Sequence, residues 1–281
     1  MRVHAAGITP TELTWSTTWT TRDDKDRVPV VPSHEVSGVV EALGDGVREV
    51  QVGDAVYALL DFWRDGAAAE YVAGRAADLA PKPRSIDHAH AAAIPLSGLT
   101  AWQALFDHAG LSRGQRVLIH GGAGGVGTFA VQLAHWCGAH VTTTASADSA
   151  EFLRQLGADE VIDYHQEHFE DTVRDVDVAL DTIGGETLER SWNVLRPGGA
   201  LISVASTVSA ETASRRGVRG VFFIVQPNRG QLIEIARLVD ASVIRPIVEA
   251  VLPLALTRDA YVRGARGHGR GKLVLRVRDE V

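Results

Sequence analysis

Glycine residues in the middle of the chain are spaced so that they can hold a phosphate. Gly122, Gly124 and Gly127 fit the pattern G-x-G-x-x-G inside residues 116–127. A short aliphatic run precedes them, and residues 129–136 repeat apolar side chains at helical spacing. In such a strand, turn and helix, the first glycine turns the chain, the second lets backbone N–H groups approach a pyrophosphate, and the third lets the helix pack closely. The pattern predicts dinucleotide binding at a helix N-terminus; a glycine turn with a purely structural role is the alternative.

The segments after the glycines alternate between strand-like and helix-like patterns. Strands are predicted over residues 140–145, 160–162, 176–181, 200–205 and 218–225, with helices between them. Such alternation builds a parallel sheet with helices on both faces, and ligands bind at the carboxyl ends of its strands. We therefore expect four segments to converge on one ligand: residues 122–127, 145–146, 182–185 and 204–206.

The N-terminal third of the chain has a different pattern. Short strands are predicted over residues 36–43, 52–59 and 68–73, with glycine–aspartate turns between them, which is typical of a small β-barrel. We predict a first domain made of residues 1–96 and 247–281, and a dinucleotide-binding domain made of residues 97–246.

The bulk composition excludes several classes of function. The chain has 281 residues, of which 45% are hydrophobic and 22% charged, and its net charge is −7, which argues against binding to nucleic acid or to an anionic membrane. A single cysteine cannot form an internal disulfide or a four-cysteine zinc lobe. No signal-peptide pattern and no apolar run of membrane-spanning length is present, so we expect a cytoplasmic protein.

With these elements placed, the sequence resembles the medium-chain dehydrogenase/reductase superfamily, in its zinc-independent quinone oxidoreductase or zeta-crystallin-like branch. The matching stretches, besides the glycine run, are residues 5–10, 32–40, 52–57, 99–105, 156–164, 181–185, 196–199 and 267–272. The resemblance implies a GroES-like barrel plus a Rossmann domain. Members of the family begin with a further hairpin before the strand that starts here at Met1, so we expect a barrel shortened at its N-terminus. Residues 11–21 also depart from the family's usual asparagine, aspartate and tyrosine pattern.

The resemblance also addresses the question of a metal. Zinc-dependent relatives bind their catalytic metal through cysteines and a histidine–glutamate pair. Here Thr9 and Leu96 occupy two cysteine positions, and only His34 and Glu35 are retained. We therefore predict no metal, and expect His34 and Glu35 to make hydrogen bonds within the barrel; a zinc alcohol dehydrogenase is the alternative.

The end of the second Rossmann strand bears on the choice of nicotinamide cofactor. An acidic residue there would bind the ribose 2′-hydroxyl of NAD, but the sequence has no carboxylate before Asp148, which favours NADPH. The resemblance places Ser146 and Tyr164 at the 2′-phosphate. The complete set of predicted cofactor-binding residues is Gly122, Gly124, Gly125, Val126, Gly127, Ser146, Tyr164, Thr182, Ile183, Gly184, Ser206, Phe223 and Lys272.

The expected reaction is hydride transfer from NADPH to a quinone or an α,β-unsaturated carbonyl compound. Thr9 and Trp15 are candidate proton donors, with water as the alternative. A stand-alone enoyl reductase of secondary metabolism and a non-catalytic NADPH-binding protein remain alternative functions. The family also suggests a homodimer formed through residues 221–225, a segment that equally suits a buried strand.

Overall fold

The computed structural model describes residues 1–267 and 269–279, so His268, inside the matching stretch at 267–272, lies outside the described residues. The chain divides into two compact units. Met1–Leu99 and Gln226–Val281 form the first unit, and Thr100–Val225 form the second. The predicted parallel sheet is confirmed, and the region predicted to be a small β-barrel is built on a second, largely antiparallel sheet.

Twelve strands are present in the described part of the chain. They are β1 (Arg2–Ile8), β2 (Glu35–Val39), β3 (Ala55–Leu59), β4 (Ala80–Pro81), β5 (Arg116–His120), β6 (His140–Ala145), β7 (Glu160–Asp163), β8 (Val176–Asp181), β9 (Leu195–Ser203), β10 (Arg219–Phe222), β11 (Val248–Pro253) and β12 (Lys272–Arg276).

Ten α-helices lie between or beside these strands in the same described residues. They are α1 (Ser16–Trp19), α2 (His88–Ala92), α3 (Pro95–Trp102), α4 (Gly125–Cys137), α5 (Ala150–Gln155), α6 (Phe169–Thr172), α7 (Gly185–Ser191), α8 (Ala210–Arg216), α9 (Arg229–Asp240) and α10 (Thr257–Ala265). Short 3₁₀ helices cover Pro10–Thr14, Ala76–Asp78, Ala147–Ser149 and Leu254–Leu256, and a π-helix covers Gln103–His108.

The first unit is built on a six-stranded sheet in the order β11-β12-β1-β2-β3-β4. Its pairs are antiparallel except for β11 with β12. The apolar face buries Val3, Val36, Val56 and Leu275 in one cluster. The C-terminal strands belong to this sheet, because β12 pairs with β1 and β11 pairs with β12.

The predicted strand over residues 68–73 is not a continuous strand. Its backbone groups bond one at a time to different chain segments: Ala68 N–H donates to the carbonyl of Pro32, and Val72 N–H donates to that of Met1. Tyr71 forms only an isolated bridge with Arg2. Alternating apolar residues therefore mark burial here without a strand ladder.

The second unit is a doubly wound parallel sheet in the order β10-β9-β8-β5-β6-β7. The strand order reverses next to β5, whose two neighbours are β6 on one side and β8 on the other. One face of the sheet buries Leu118, Ala179 and Leu201 against Trp192. The carboxyl end of β5, where the glycine run begins, thus lies at the switch point at which such sheets bind ligands.

Helix α9 lies with the first unit, whereas the sequence prediction assigned residues 226–246 to the dinucleotide-binding domain. Its contacts account for this placement. The buried Tyr57 hydroxyl donates to the carbonyl of Leu232, and Arg229 Nε donates to the carbonyl of Leu79 at 2.7 Å. Asp240 accepts a hydrogen bond from Ser85 Oγ at 2.8 Å. These long-range bonds have no signature in the local pattern of the helix.

The Tyr57 hydrogen bond yields a prediction about stability. Tyr57→Phe should lower the free energy of unfolding by about 1 kcal/mol, because a buried donor to the helix α9 backbone is lost while the ring still fills its site. Urea denaturation measures this loss. Tyr71→Phe, at a half-exposed ring, is the matched control and should change nothing; equal stability of wild type and Tyr57→Phe would show that the hydroxyl does not anchor the helix.

Candidate functional site

The glycine run connects β5 to α4 through a tight turn. Gly121 has a φ of +72°, a conformation that favours glycine, and Gly124 is the N-cap of α4. The N–H of Gly122 donates to the carbonyl of Thr144 at 3.0 Å, which ties the turn to the neighbouring strand β6. The first-turn N–H groups of Gly125, Val126 and Gly127 have no carbonyl within the helix to bond. The helix start can therefore bind an anion.

The three patterned glycines are needed for different reasons. A Cβ on Gly122 would lie 2.1 Å from Thr143 Oγ1, and one on Gly127 would lie 2.2 Å from the carbonyl oxygen of Gly121. A Cβ on Gly124 would meet only that same carbonyl oxygen, at 3.4 Å. The predicted role of the first glycine is corrected, because the left-handed turn residue is Gly121 and Gly122 is required by its packing on Thr143. Gly124 leaves open space on the outer side of the turn.

The loop after β8 lies against the glycine turn and is fixed by a buried carboxylate. Asp181 is fully buried and accepts hydrogen bonds from the N–H groups of Ile183 (3.1 Å) and Gly184 (2.9 Å). Thr182 Oγ1 donates to the carbonyl of His120 at 2.8 Å, and it would lie 2.7 Å from a Cβ on Gly121. The structure therefore brings Thr182, Ile183 and Gly184 to the glycine run, as the strand ends predicted.

Ser206 is held beside this loop. Ser203 Oγ donates to Asp181 at 2.8 Å and accepts from the N–H of Ser206 at 3.2 Å. The Oγ of Ser206 is buried and has no hydrogen-bond partner among the residues that the structure describes. The residue lines an open pocket of about 590 Å³ together with Gly185 and Arg190, although its Oγ atom is itself buried. A buried hydroxyl without a hydrogen-bond partner is a candidate for contact with a polar ligand group.

The ends of β6 and β7 bring Ser146 and Tyr164 to the same edge of the sheet. Ala145 pairs with Asp163, and the N–H of Tyr164 donates to the carbonyl of Ala145 at 3.3 Å. The Tyr164 side chain is 51% exposed, with its ring 4.2 Å from that of His165. Both predicted 2′-phosphate residues thus follow neighbouring strand ends at one edge of the sheet, and the Tyr164 side chain there is exposed.

Phe223 follows β10 and is placed by its neighbours in the second unit. Its N–H donates to the carbonyl of Ser203 at 3.3 Å, and its ring centroid is 4.3 Å from that of His108. It therefore stands at the carboxyl edge, beyond the β9 end that leads to Ser206.

In the first unit, Lys272 is committed to an ion pair. The side chain is only 5% exposed, and its ammonium contacts the buried carboxylate of Glu35 and donates to Thr9 Oγ1 at 2.9 Å. Thr9 Oγ1 in turn donates to Glu35 at 3.2 Å, and the N–H of Leu96 donates to the other carboxylate oxygen at 3.0 Å. Lys272 therefore neutralises Glu35, a role that its predicted place beside the cofactor did not anticipate.

A second buried network lies next to the first and was missed by the sequence prediction. His34 Nδ1 is 2.8 Å from a carboxylate oxygen of Glu12, which also accepts from the N–H of Ser33 and from the hydroxyl of Tyr261. Burial raises the pKa of Tyr261 far above its usual range, and the Glu12 carboxylate raises it further, so the phenol stays protonated and donates. His34 and Glu35 thus make the barrel hydrogen bonds expected of them.

The candidate proton donors have different surroundings. Thr9 lies between the ammonium of Lys272 and the carboxylate of Glu35, as described above. Trp15 packs its ring against the edge of Phe62, with centroids 5.3 Å apart, and Phe62 in turn packs on His34 at 5.2 Å.

In the described ranges 1–267 and 269–279, no three His, Cys, Asp or Glu side chains are grouped to hold a metal ion. Across those ranges no helix reaches the length and apolar character of a membrane span.

His120, the last residue of β5, lies fully buried under the glycine turn. Its Nδ1 is 3.2 Å from Thr144 Oγ1 and its Nε2 is 2.9 Å from Ser191 Oγ. Burial lowers the pKa of this imidazole to about 4; the Asp181 carboxylate opposes the shift and the Arg190 guanidinium adds to it. The ring is therefore neutral at physiological pH. No pattern in the sequence distinguished this histidine.

Comparison with known proteins supports the same interpretation of the chain. Residues 1–84 match the alcohol dehydrogenase GroES-like domain, and residues 156–275 match the zinc-binding dehydrogenase family. The chain is 32% identical to the mitochondrial NAD(P)H oxidoreductase RTN4IP1 of Danio rerio, over 100% of this chain and 84% of that protein. It is 34% identical to the chloroplastic NADPH-dependent alkenal/one oxidoreductase of Arabidopsis thaliana, over 88% of this chain and 64% of that protein.

A solved structure is similar over nearly the whole chain. The quinone oxidoreductase from Coxiella burnetii superposes with a TM-score of 0.90 at 33% identity, covering 99% of this chain and 89% of that one. The GroES-like and Rossmann components that the sequence predicted are confirmed by these matches.

The depressed pKa of His120 predicts how stability depends on pH. The unfolded chain binds this proton near the usual value of about 6.5, whereas the folded protein resists it down to about 4. Stability is therefore lost as the pH falls through that window. Measured against the non-titrating His120→Asn, the advantage of the wild type in free energy of unfolding should shrink by about 2 to 3 kcal/mol between about pH 7.5 and about pH 4.5.

Urea denaturation of both proteins across this pH range makes the measurement. Comparison with the variant removes the contribution of every other histidine. If the difference in free energy of unfolding between wild type and His120→Asn stayed constant with pH, the His120 imidazole would accept a proton as readily in the folded protein as in the unfolded chain.

Proposed function

Because the chain belongs to the medium-chain dehydrogenase/reductase superfamily, in its zinc-independent quinone oxidoreductase branch, we propose that it reduces a quinone or an α,β-unsaturated carbonyl compound with NADPH. It is an oxidoreductase of a family whose members use nicotinamide cofactors. The single observation that carries the proposal is the open glycine turn at the switch point of the parallel sheet. When bound, NADPH would supply a hydride. The residues of the chain would bind the cofactor, orient it toward the substrate and exclude water from the site.

The glycine turn is suited to a diphosphate by both shape and charge. The first turn of α4 offers unpaired N–H groups, and the helix dipole favours negative charge at this end. Since Gly124 has open space where a side chain would stand, a phosphate oxygen could approach the backbone there. The neighbouring loop, fixed by Asp181, would hold Thr182 and Ile183 beside the ribose, and Ser206 with Phe223 would stand by the nicotinamide.

The preference for NADPH rests on the end of β6. The strand ends in Thr144 and Ala145 and is followed by Ser146, so no carboxylate there would repel a 2′-phosphate. Ser146 and the exposed Tyr164 offer two hydroxyl groups at one edge. The Arabidopsis relative carries NADPH and an alkenal or enone in its name, which supports the same cofactor and substrate class.

The proposal includes catalysis without zinc, because the retained metal-binding residues already have other partners. Both ring nitrogens of His34 are engaged, Nδ1 with Glu12 and Nε2 at 3.3 Å from the carbonyl of Arg64. The carboxylate of Glu35 is neutralised by the ammonium of Lys272. A metal would have to displace these partners from buried positions, at a large electrostatic cost.

Of the two candidate proton donors we favour Thr9. Its hydroxyl accepts a hydrogen bond from the ammonium of Lys272 and donates to Glu35, so the hydroxyl would turn its proton from Glu35 to a substrate and could be reprotonated from Lys272. The described side-chain contact of Trp15 is with the aromatic ring of Phe62, which cannot supply a proton.

A homodimer and a cytoplasmic location also remain proposals. The outer strand of the parallel sheet, β10, carries Phe222 at 39% exposure and is followed by Ile224 at 61%. An apolar strand at the edge of a sheet favours pairing with a second copy of the chain.

Steady-state kinetics test the reaction directly. With NADPH and a panel of quinones, enones and 2-enoyl thioesters, we expect turnover on at least one conjugated acceptor and a lower KM for NADPH than for NADH. Turnover confined to 2-enoyl thioesters would identify an enoyl reductase. Tight NADPH binding without turnover on any acceptor would contradict the enzyme and favour a binding protein, and activity that required added zinc would contradict the metal-free mechanism.

A pair of glycine variants tests the cofactor site. Gly124→Ala should leave the free energy of unfolding within about 1 kcal/mol of wild type but weaken NADPH binding about tenfold or more, since its methyl group would occupy space meant for a phosphate. Gly127→Ala should lower the free energy of unfolding by about 3 kcal/mol, because its Cβ meets backbone. Calorimetric titration and urea denaturation separate the two effects; unchanged NADPH affinity in Gly124→Ala would place the cofactor elsewhere.

A further inference from the structure

A chain of buried hydrogen bonds connects the glycine turn to helix α7 through His120. At one end, the N–H of Gly121 lies 3.2 Å from Thr144 Oγ1, which is 3.2 Å from His120 Nδ1. At the other end, His120 Nε2 lies 2.9 Å from Ser191 Oγ, which is 2.6 Å from the carbonyl of Thr187. The ring, Thr144 and Ser191 are all buried, so water does not supply alternative partners.

The carbonyl end of this hydrogen-bond chain and the neutral state of the ring fix the direction of every bond. The Thr187 carbonyl can only accept, so Ser191 Oγ donates to it and accepts from His120 Nε2. Because burial keeps the imidazole neutral, a proton on Nε2 leaves Nδ1 bare, and Nδ1 accepts from the Thr144 hydroxyl. Thr144 Oγ1 also accepts from the N–H of Gly121, so all four bonds are satisfied by the neutral Nε2–H form.

We propose that His120 is a positioning residue for the cofactor, which in its Nε2–H form holds the glycine turn in the shape that receives the diphosphate. This inference rests on the proposed binding of NADPH at that turn. His120 does not touch the ligand; it acts through Thr144 on the backbone of Gly121.

Gly121 is the residue of the turn whose displacement would disturb the others most. Its carbonyl accepts from the N–H of Gly124 at 3.0 Å, and it would lie 2.2 Å from a Cβ on Gly127. The backbone carbonyl of His120 also accepts from Thr182, in the neighbouring ligand-facing loop. A small shift of His120 would thus move both segments, and displacements of about 1 Å are enough to impair a binding site.

The surroundings of the ring keep it in the required form. Burial disfavours the imidazolium, and the ring edge packs against Phe169 of α6 with centroids 4.5 Å apart. The charged groups that bear on it are Asp181 at the end of β8 and Arg190 in α7, which act in opposite directions. A second proton would turn Nδ1 into a donor facing Thr144 Oγ1, and the hydroxyl could no longer point toward the ring.

The test uses variants that break the series of hydrogen bonds on either the Thr144 side or the Ser191 side of His120. His120→Asn places a side-chain amide near the site of Nδ1 and keeps a partner for Thr144, whereas the longer side chain in His120→Gln reaches toward the site of Nε2 and keeps a partner for Ser191. Thr144→Val removes the hydroxyl that bonds Gly121. His140→Gln changes a half-buried histidine on β6, the strand of Thr144, paired with Asp159 and Glu160, and is the matched control.

We expect Thr144→Val and His120→Gln each to raise the Kd for NADPH about tenfold, and His120→Asn to raise it only about threefold. The double variant Thr144→Val with His120→Gln should bind NADPH only slightly more weakly than either single variant, because both substitutions break the same series of hydrogen bonds. KM for NADPH should rise much more than kcat falls. His140→Gln should bind like wild type, and urea denaturation reports any general loss of stability.

A second readout needs no cofactor. In apoprotein labelled with ¹⁵N-histidine, the resonances of His120, assigned by their loss in His120→Asn, should show a bare Nδ1 and a protonated Nε2. A proton on Nδ1, or equal NADPH affinity of wild type, Thr144→Val and His120→Gln, would overturn the inference. If the wild type bound no NADPH, the proposed function and this inference would both be overturned. If the wild type bound NADPH and the variants bound it equally well, only this inference would be overturned.

Discussion

The close approach of two backbone segments in the glycine turn is the constraint on which the second unit depends. The carbonyl oxygen of Gly121 lies so near Gly127 that a Cβ there would be 2.2 Å away. This contact lets α4 begin directly at the switch point of the sheet, with its N-terminal amides pointing outward. The left-handed conformation of Gly121 and the packing of Gly122 on Thr143 follow from the same tight path. The buried His120 beneath the turn is connected to it by hydrogen bonds through Thr144.

The first unit is organised by buried charge. The carboxylates of Glu12 and Glu35 are both almost fully buried, and each is given several donors by distant parts of the chain. The Glu12 carboxylate is hydrogen-bonded by the N–H of Ser33, the ring of His34 and the hydroxyl of Tyr261. The Glu35 carboxylate is hydrogen-bonded by the hydroxyl of Thr9, the N–H of Leu96 and the ammonium of Lys272. Such networks stabilise only when every member is satisfied, because a buried charge left alone is very unfavourable. His34 and Glu35 are therefore each held in a buried network with several partners.

Much of the second unit could be predicted from the sequence, because its signals are local. The spacing of Gly122, Gly124 and Gly127 and the alternation of strands and helices both act over short distances along the chain, and they placed Thr182 and Ser206 at the correct edge. The networks of the first unit could not be predicted in this way. Tyr261 is 249 residues from Glu12, and Lys272 is 237 residues from Glu35, so no local pattern links them. The same holds for helix α9, whose packing on Tyr57 depends on the tertiary fold. His120 was overlooked because a histidine at the end of an apolar strand has no distinguishing spacing.

The N-terminal amides of α4 are proposed to bind the diphosphate of NADPH, and a crystal structure of the protein with NADPH is the decisive experiment. We expect diphosphate oxygens within hydrogen-bond distance of the backbone N–H groups of residues 124–127, with the 2′-phosphate beside Ser146 and Tyr164. A diphosphate bound away from the glycine turn, with those N–H groups facing only water, would contradict it.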